Sequence, residues 1–146
     1  MELIERFIGK TIGLDTSIFI YFIEKHKKYQ KFLGDFFKNC DNGKIEIVTS
    51  TITLLEVLVL PFRSERYELA DKYEFILQNS KGIRLLDINN AISKTAAQLR
   101  AKHMIRTPDS IQIATSIFAG AHCFITNDKS LQRIKDIEIL ILDQLI

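Results

Sequence analysis

Two cysteines and three histidines are the whole supply, in 146 residues, of the thiols and imidazoles that hold zinc and similar metals. Cys40 falls in a polar turn and Cys123 in an apolar segment, with no Cys-x-x-Cys and no Cys/His spacing around either. That pattern excludes a disulfide scaffold and reads as two reduced thiols. His26, His103 and His122 are far apart, and none has the i, i+4 partner of a zinc-binding helix, so a metal here would be held by oxygen. Long apolar runs are missing too, and none approaches the length of a membrane span. The opening Met1-Glu2-Leu3-Ile4-Glu5-Arg6 carries acids where a secretory signal would need apolar residues. The expectation is therefore a cytoplasmic protein without membrane association. Linkers, repeats and low-complexity segments are also lacking, and the length fits a single domain over residues 1–146. A net charge of +2 permits nucleic acid as a partner without arguing for it.

What is present is a regular alternation of short apolar runs with helical patterns, the sign of a mostly parallel sheet covered by helices. Thr11 to Asp15, Ile45 to Thr49, Ile83 to Leu86, Phe124 to Thr126 and Glu138 to Leu142 read as about five short strands. Helices are predicted from about Ser17 to Ile23, Tyr29 to Lys38, Thr51 to Leu60, Glu65 to Gln78 and Asn89 to His103. Pro61 should help to end the third of these. A sixth should start at Thr107-Pro108-Asp109, with Thr107 as a cap and Pro108 in the first helical position, and run to about Ala119. A short helix is expected around Ser130 to Ile134. The result is an α/β fold of three layers, α/β/α.

Against this map, Asp15, Glu56, Asp109 and Asp128 each interrupt or abut an apolar run. A carboxylate taken from water must be paired, hydrogen-bonded or set on a cation. Ligands of open α/β sheets gather at the carboxyl ends of the strands, where Asp15, Asp128 and the helix start bearing Asp109 are expected to meet, with Glu56 close by. Each acid also has an ordinary alternative. Asp15 and Asp128 could be helix caps, Asp109 could favour the positive end of its helix, and Glu56 could close a capping box with Thr53. The alternatives are four separate coincidences, whereas one shared cation accounts for all four. Oxygen ligands alone select a hard ion, and Mg²⁺ or Mn²⁺ fits better than calcium because no EF-hand-like loop is present.

Four segments in this order resemble the PIN-domain family, most closely the VapC-like toxins of toxin–antitoxin systems. They are Ile12-Gly13-Leu14-Asp15-Thr16-Ser17, Ser50-Thr51-Ile52-Thr53-Leu54-Leu55-Glu56, Thr107-Pro108-Asp109-Ser110-Ile111-Gln112-Ile113-Ala114-Thr115 and Phe124-Ile125-Thr126-Asn127-Asp128. The resemblance implies a PIN-like fold and a metal-dependent endoribonuclease in which Asp15, Glu56, Asp109 and Asp128 serve the metal. It also implies a protein antitoxin and a homodimer. Ser17, Thr126 and Asn127 are suited to orient carboxylates or water, although Ser17 and Thr126 could equally be ordinary caps. RNA requires basic residues around such a ring of acids, and Arg63 and Arg106 are favoured because they flank the Glu56 helix and the Asp109 helix start. Lys25, Lys27, Lys28, Lys31, Arg66, Arg100 and Lys102 read more simply as solvated surface. A PIN-fold nuclease of RNA processing, or a non-catalytic interaction module whose acids are only caps, are the competing readings. A receiver domain or a dehalogenase-like phosphatase is disfavoured, because Ser17 stands where the latter needs its second Asp.

Overall fold

The apolar runs pair as five parallel strands in the order β3-β2-β1-β4-β5: β1 Thr11–Leu14, β2 Glu46–Ser50, β3 Ile83–Leu86, β4 Cys123–Thr126 and β5 Glu138–Ile141. The structure, a computed structural model, describes residues 2–146. Parallel neighbours cannot be joined by tight turns, so helices must cross over the sheet between them. These helices are α1 Glu2–Glu5, α2 Thr16–Ile23, α3 Gln30–Asp41, α4 Thr51–Arg63, α5 Tyr67–Asn79, α6 Asn90–His103, α7 Thr107–Phe118 and α8 Leu142–Leu145. A turn of 3-10 helix, Lys129–Arg133, links β4 to β5.

Side-chain alternation along the strands divides the core in two. Ile12, Leu14, Ile47 and Ile125 join Phe19, Phe36, Phe37, Tyr73 and Leu77 on one face. Phe124, Ile139 and Ile141 join Ile92, Leu99, Ile113 and Leu131 on the other. This is the α/β/α layering expected from the sequence, with every strand pair parallel. Among the described residues no helix is long and apolar enough to cross a membrane.

Several boundaries differ from expectation. Helix α4 does not stop at Pro61 but runs through it to Arg63, with the proline ring buried in the last turn. Near the end of a helix a proline forfeits one backbone hydrogen bond, a loss that burial of its ring offsets. Helix α5 begins at Tyr67 rather than Glu65, because Glu65 takes a left-handed conformation with φ 55°. Thr107 is not a cap; it is already helical, and Arg106 holds the extended cap position without a side-chain bond. Leu142 leaves the last strand to start α8, and neither α1 nor α8 was anticipated, since four residues are too few to show a helical period.

The chain turns from one side of β1 to the other, with β2 as one neighbour and β4 as the other. This reversal opens a crevice beyond the carboxyl ends of β1 and β4. Gly13 determines how deeply α7 settles there. A Cβ on it would lie 1.9 Å from Ser116 Oγ and 2.7 Å from Ser116 Cβ, so only glycine admits the helix at this distance. Gly13→Ala should destabilise the protein by about 1–3 kcal/mol through overpacking. A shift of the urea midpoint at constant slope measures it; an unchanged midpoint would show that α7 is free to move away from β1.

Candidate functional site

The four acids come from four elements and line one open cleft of about 450 Å³, together with Thr16, Ser17, Tyr21, Arg106, Thr126 and Asn127. Asp15 directly follows β1 and caps α2. Its backbone N–H donates to Ile125 O at 3.0 Å, its Oδ1 accepts the Thr16 N–H at 2.9 Å, and its Oδ2 accepts the Thr126 hydroxyl at 2.6 Å. The Thr126 oxygen accepts in turn from the Asp128 N–H at 3.1 Å, tying the ends of β1 and β4 together. Asp128 caps the 3-10 turn, its Oδ1 accepting from Ser130 N–H at 3.0 Å and Ser130 Oγ at 2.7 Å. Both cap readings are therefore correct, and both capping residues still line the cleft.

Glu56 has no cap role. Ser50 caps α4 by accepting the Ile52 N–H at 3.1 Å, which puts Glu56 more than a turn inside the helix. Its Oε1 accepts the Thr16 hydroxyl at 2.6 Å. Asp109 is in the first turn of α7, as expected of an acid near a helix N-terminus, and is buried. Its Oδ2 meets Arg106 Nε at 3.2 Å. Arg106 is the one cation among the described residues of the cleft.

The other sequence candidates divide. Thr126 binds Asp15 directly, while Ser17 lines the cleft with no bond to an acid among those described. Asn127 lines the cleft but its amide bonds to none of the four acids: it donates to Tyr29 Oη at 2.9 Å and accepts from the Asp143 N–H at 3.0 Å, holding α8 to the rim. Arg63, at the end of α4, is outside the cleft lining, so of the two favoured arginines the structure brings only Arg106 to the acids. Lys28 pairs with Asp143 at 2.9 Å, and Arg100 donates to Ile105 O at 3.0 Å. A larger depression of about 690 Å³ runs along Gln132–Ile139, with Glu138 its one acid and no member of the cluster.

Residues to which the sequence assigned no place in the site, Thr53 having been read only as a possible capping partner, lie directly beneath the acids. Thr16, Thr49, Ser50, Thr53 and Gln112 are buried and hydrogen-bonded to one another. Their signal was faint but present: Gln112 is a polar residue inside the apolar run Ile111-Gln112-Ile113-Ala114, on the turn that follows Asp109.

The cleft is electrostatically loaded. Burial pushes the Asp15 carboxyl up to about 6, the bonds from Thr126 and Thr16 pull it back, and the charges of Asp109 and Glu56 raise it again. The same field holds the Arg106 guanidinium above its ordinary value, first through its bond to Asp109 and then through the charges of Asp109, Asp128 and Glu56. Among the described residues no three His, Cys, Asp or Glu side chains stand at metal-binding separation. Hydroxyls and the arginine hold the carboxylates instead. The donor set, carboxylates and hydroxyls with no sulfur or imidazole, is nonetheless of the kind that takes a hard divalent ion.

A raised carboxyl stabilises the fold below its unfolded value and withdraws that stability as pH rises through its folded value. For Asp15 the window is about pH 4 to 6, and the loss from this group is at most about 3 kcal/mol. Asp136 and Asp143 are held low, by His103 and by Tyr29 and Lys28, so their contribution disappears only on acidification below about pH 4. Chelator-treated protein should therefore be less stable to urea at pH 7 than at pH 4.5, with the difference much reduced in Asp15→Asn. Equal stability at the two pH values would show that the Asp15 carboxyl is not shielded from water.

The family model described as the PIN domain matches residues 12–137. No curated protein sequence matches the chain. Among solved structures, VapBC2 from Rickettsia felis, bound to a DNA fragment from its promoter, is 20% identical with a TM-score of 0.71, covering 90% of this chain and 98% of that one. A toxin–antitoxin complex from Klebsiella pneumoniae is 20% identical with a TM-score of 0.68, covering 90% and 97%. DNA-bound VapBC from Salmonella typhimurium is 20% identical with a TM-score of 0.65, covering 91% and 98%. At these identities the structural likeness establishes the fold, and the family model, which takes in the elements bearing all four acids, establishes the kinship: this chain belongs to the PIN domain family.

Proposed function

We propose that this protein is a divalent-metal-dependent endoribonuclease, the toxin of a toxin–antitoxin pair. The observation that carries the reading is the meeting of Asp15, Glu56, Asp109 and Asp128, from four separate elements, around one cleft at the switch point of the sheet. Membership of the PIN domain family and the fold shared with VapBC complexes support it. Asp15, Asp109 and Asp128 would hold Mg²⁺ or Mn²⁺, with Glu56 as a further ligand or an acceptor for a bound water. Such an ion supplies an activated water and neutralises charge at the scissile phosphodiester, which is how a site without a histidine base cuts RNA.

The chain's own residues have defined tasks. Thr126 and the Thr16 N–H hold the two Asp15 oxygens, and the Thr16 hydroxyl holds Glu56. Arg106, its guanidinium exposed at the mouth of the cleft, offsets the acids and meets a phosphate of the incoming strand. A small antitoxin would cover the same cleft, the partnership named for the VapBC structures, and a homodimer is the assembly we propose for the toxin. The cytoplasm, where RNA and antitoxin are both available, is the proposed compartment.

A second reading has one observation in its favour: Asp15 and Asp128 do cap helices, as they would in a non-catalytic interaction module. Metal separates the two. A nuclease should show saturable stabilisation when Mg²⁺ is titrated into a thermal melt, and a module with caps alone should show none. Incubated with total RNA and Mn²⁺, the wild type should produce mapped internal cuts. Asp109→Asn should cut more than about 100-fold more slowly, since losing even a group that orients a ligand costs ten- to hundredfold. Undiminished cutting by folded Asp109→Asn would exclude the assignment.

A further inference from the structure

We infer that Gln112 is a positioning residue for this site, aiming the Thr16 hydroxyl at Glu56 through a buried circuit of hydrogen bonds; the inference rests on the nuclease reading for its effect on rate. The bond directions follow from what each group can offer. The single proton of Thr16 Oγ1 goes to Glu56 Oε1, 2.6 Å away. Thr16 then presents lone pairs to Gln112 and requires a donor, which is Nε2 at 2.9 Å. The second proton of that amide goes to Thr53 Oγ1 at 2.6 Å. Thr53 Oγ1 is also 2.7 Å from Thr49 Oγ1 and 3.2 Å from Thr16 Oγ1; with the Thr49 proton on Leu14 O at 3.3 Å, the Thr53 proton goes to Thr49, the nearer oxygen. On the amide's other side, Gln112 Oε1 accepts from Ser50 Oγ at 3.3 Å, while Ser50 Oγ accepts the capping N–H of Ile52 at 3.1 Å.

The circuit is closed: among the described residues no buried polar side-chain atom lacks a partner. Gln112, Thr49, Ser50 and Thr53 are all at most 2% exposed. A network so deeply buried stabilises a fold no better than apolar packing would, because each group must first be desolvated. Among the described residues its one outlet to the cleft is Thr16, and through Thr16 it reaches Glu56. The circuit joins α7, β2, α4 and α2, so it holds the helix bearing Asp109 in fixed relation to Glu56. Reversing the amide would set an acceptor against the Thr16 oxygen, whose single proton could then serve Glu56 or Gln112 but not both, so the direction is built into the packing.

Gln112→Met removes both donors at nearly constant volume. It should lower kcat for Mn²⁺-dependent cleavage of RNA about ten- to hundredfold with KM little changed. Thr16→Val should show a similar loss, the double variant should be no slower than either single one, and Thr16→Ser should recover most of the rate. Gln112→Asn, which keeps the amide but is a methylene too short to reach both threonines, should behave as Gln112→Met does and serves if that variant does not fold. A wild-type rate in either folded Gln112 variant, or multiplying losses in the double variant, would overturn the role. A second readout needs neither metal nor RNA: the Thr16 hydroxyl proton should be a protected, downfield NMR signal in threonine-labelled protein and disappear in Gln112→Met. Its persistence there would overturn the inference whether or not the wild type cuts RNA, whereas its loss beside a wild type that cuts nothing would uphold the circuit and refute the nuclease reading.

Discussion

The constraint on which this molecule turns is the meeting of like charges in a cleft partly removed from water. Asp15 feels burial together with the charges of Asp109 and Glu56, and its proton affinity rises accordingly. Left alone, such a cluster would push its elements apart. What surrounds it is a set of donors: the Thr126 hydroxyl and Thr16 N–H on Asp15, the Thr16 hydroxyl on Glu56, Arg106 on Asp109, and Ser130 on Asp128. Each carboxylate is thereby kept as an acceptor in a defined orientation without being fully neutralised. That residual negative field is the property a hard cation would find, and it gives Arg106, exposed at the rim, a task at the mouth of the cleft.

The parallel sheet makes the meeting possible. Because β1 has β2 on one side and β4 on the other, the loops after β1 and β4 diverge to opposite faces and leave a crevice between them. Asp15 and Thr126, separated by 111 positions in the chain, can then share a hydrogen bond of 2.6 Å. Gly13 matters for the same reason. By admitting Ser116 against the strand it seats α7, and α7 carries both Asp109 to the cleft and Gln112 beneath it. The packing of a helix on a strand and the geometry of the site are one arrangement.

The α/β class, the strands and the main helices were legible from apolar runs and turn residues, because burial on a sheet imposes a local period that the chain displays. Errors fell where a tertiary contact outweighed local preference. Pro61 is carried inside α4 by burial of its ring, Arg106 rather than Thr107 precedes α7, and the four-residue helices at either end show no period to read. Within the cleft, the acids were legible because a carboxylate in an apolar run conflicts with its surroundings. Gln112 and the threonines around it were only faintly so, since a hydroxyl or amide in such a run is common and only its partners give it meaning. Asn127 shows the converse: it lies beside Asp128 in the chain, yet its amide is committed to Tyr29 and the Asp143 backbone.

By itself the sequence determined which residue types were available and where: oxygen donors in place of sulfur and imidazole, acids at the ends of apolar runs, and a helix start at Thr107-Pro108-Asp109. Those are local properties, decided by side-chain chemistry and hydrophobic period within a few residues. Only the tertiary structure decided that the four acids line one cleft, that Glu56 is aimed by Thr16 rather than capping its own helix, and that Arg106 rather than Arg63 joins them. These depend on which way a side chain faces once strands far apart in sequence lie side by side. Hydrogen-bond partners at such separations are set by sheet order and helix packing, and no local pattern in the chain encodes them.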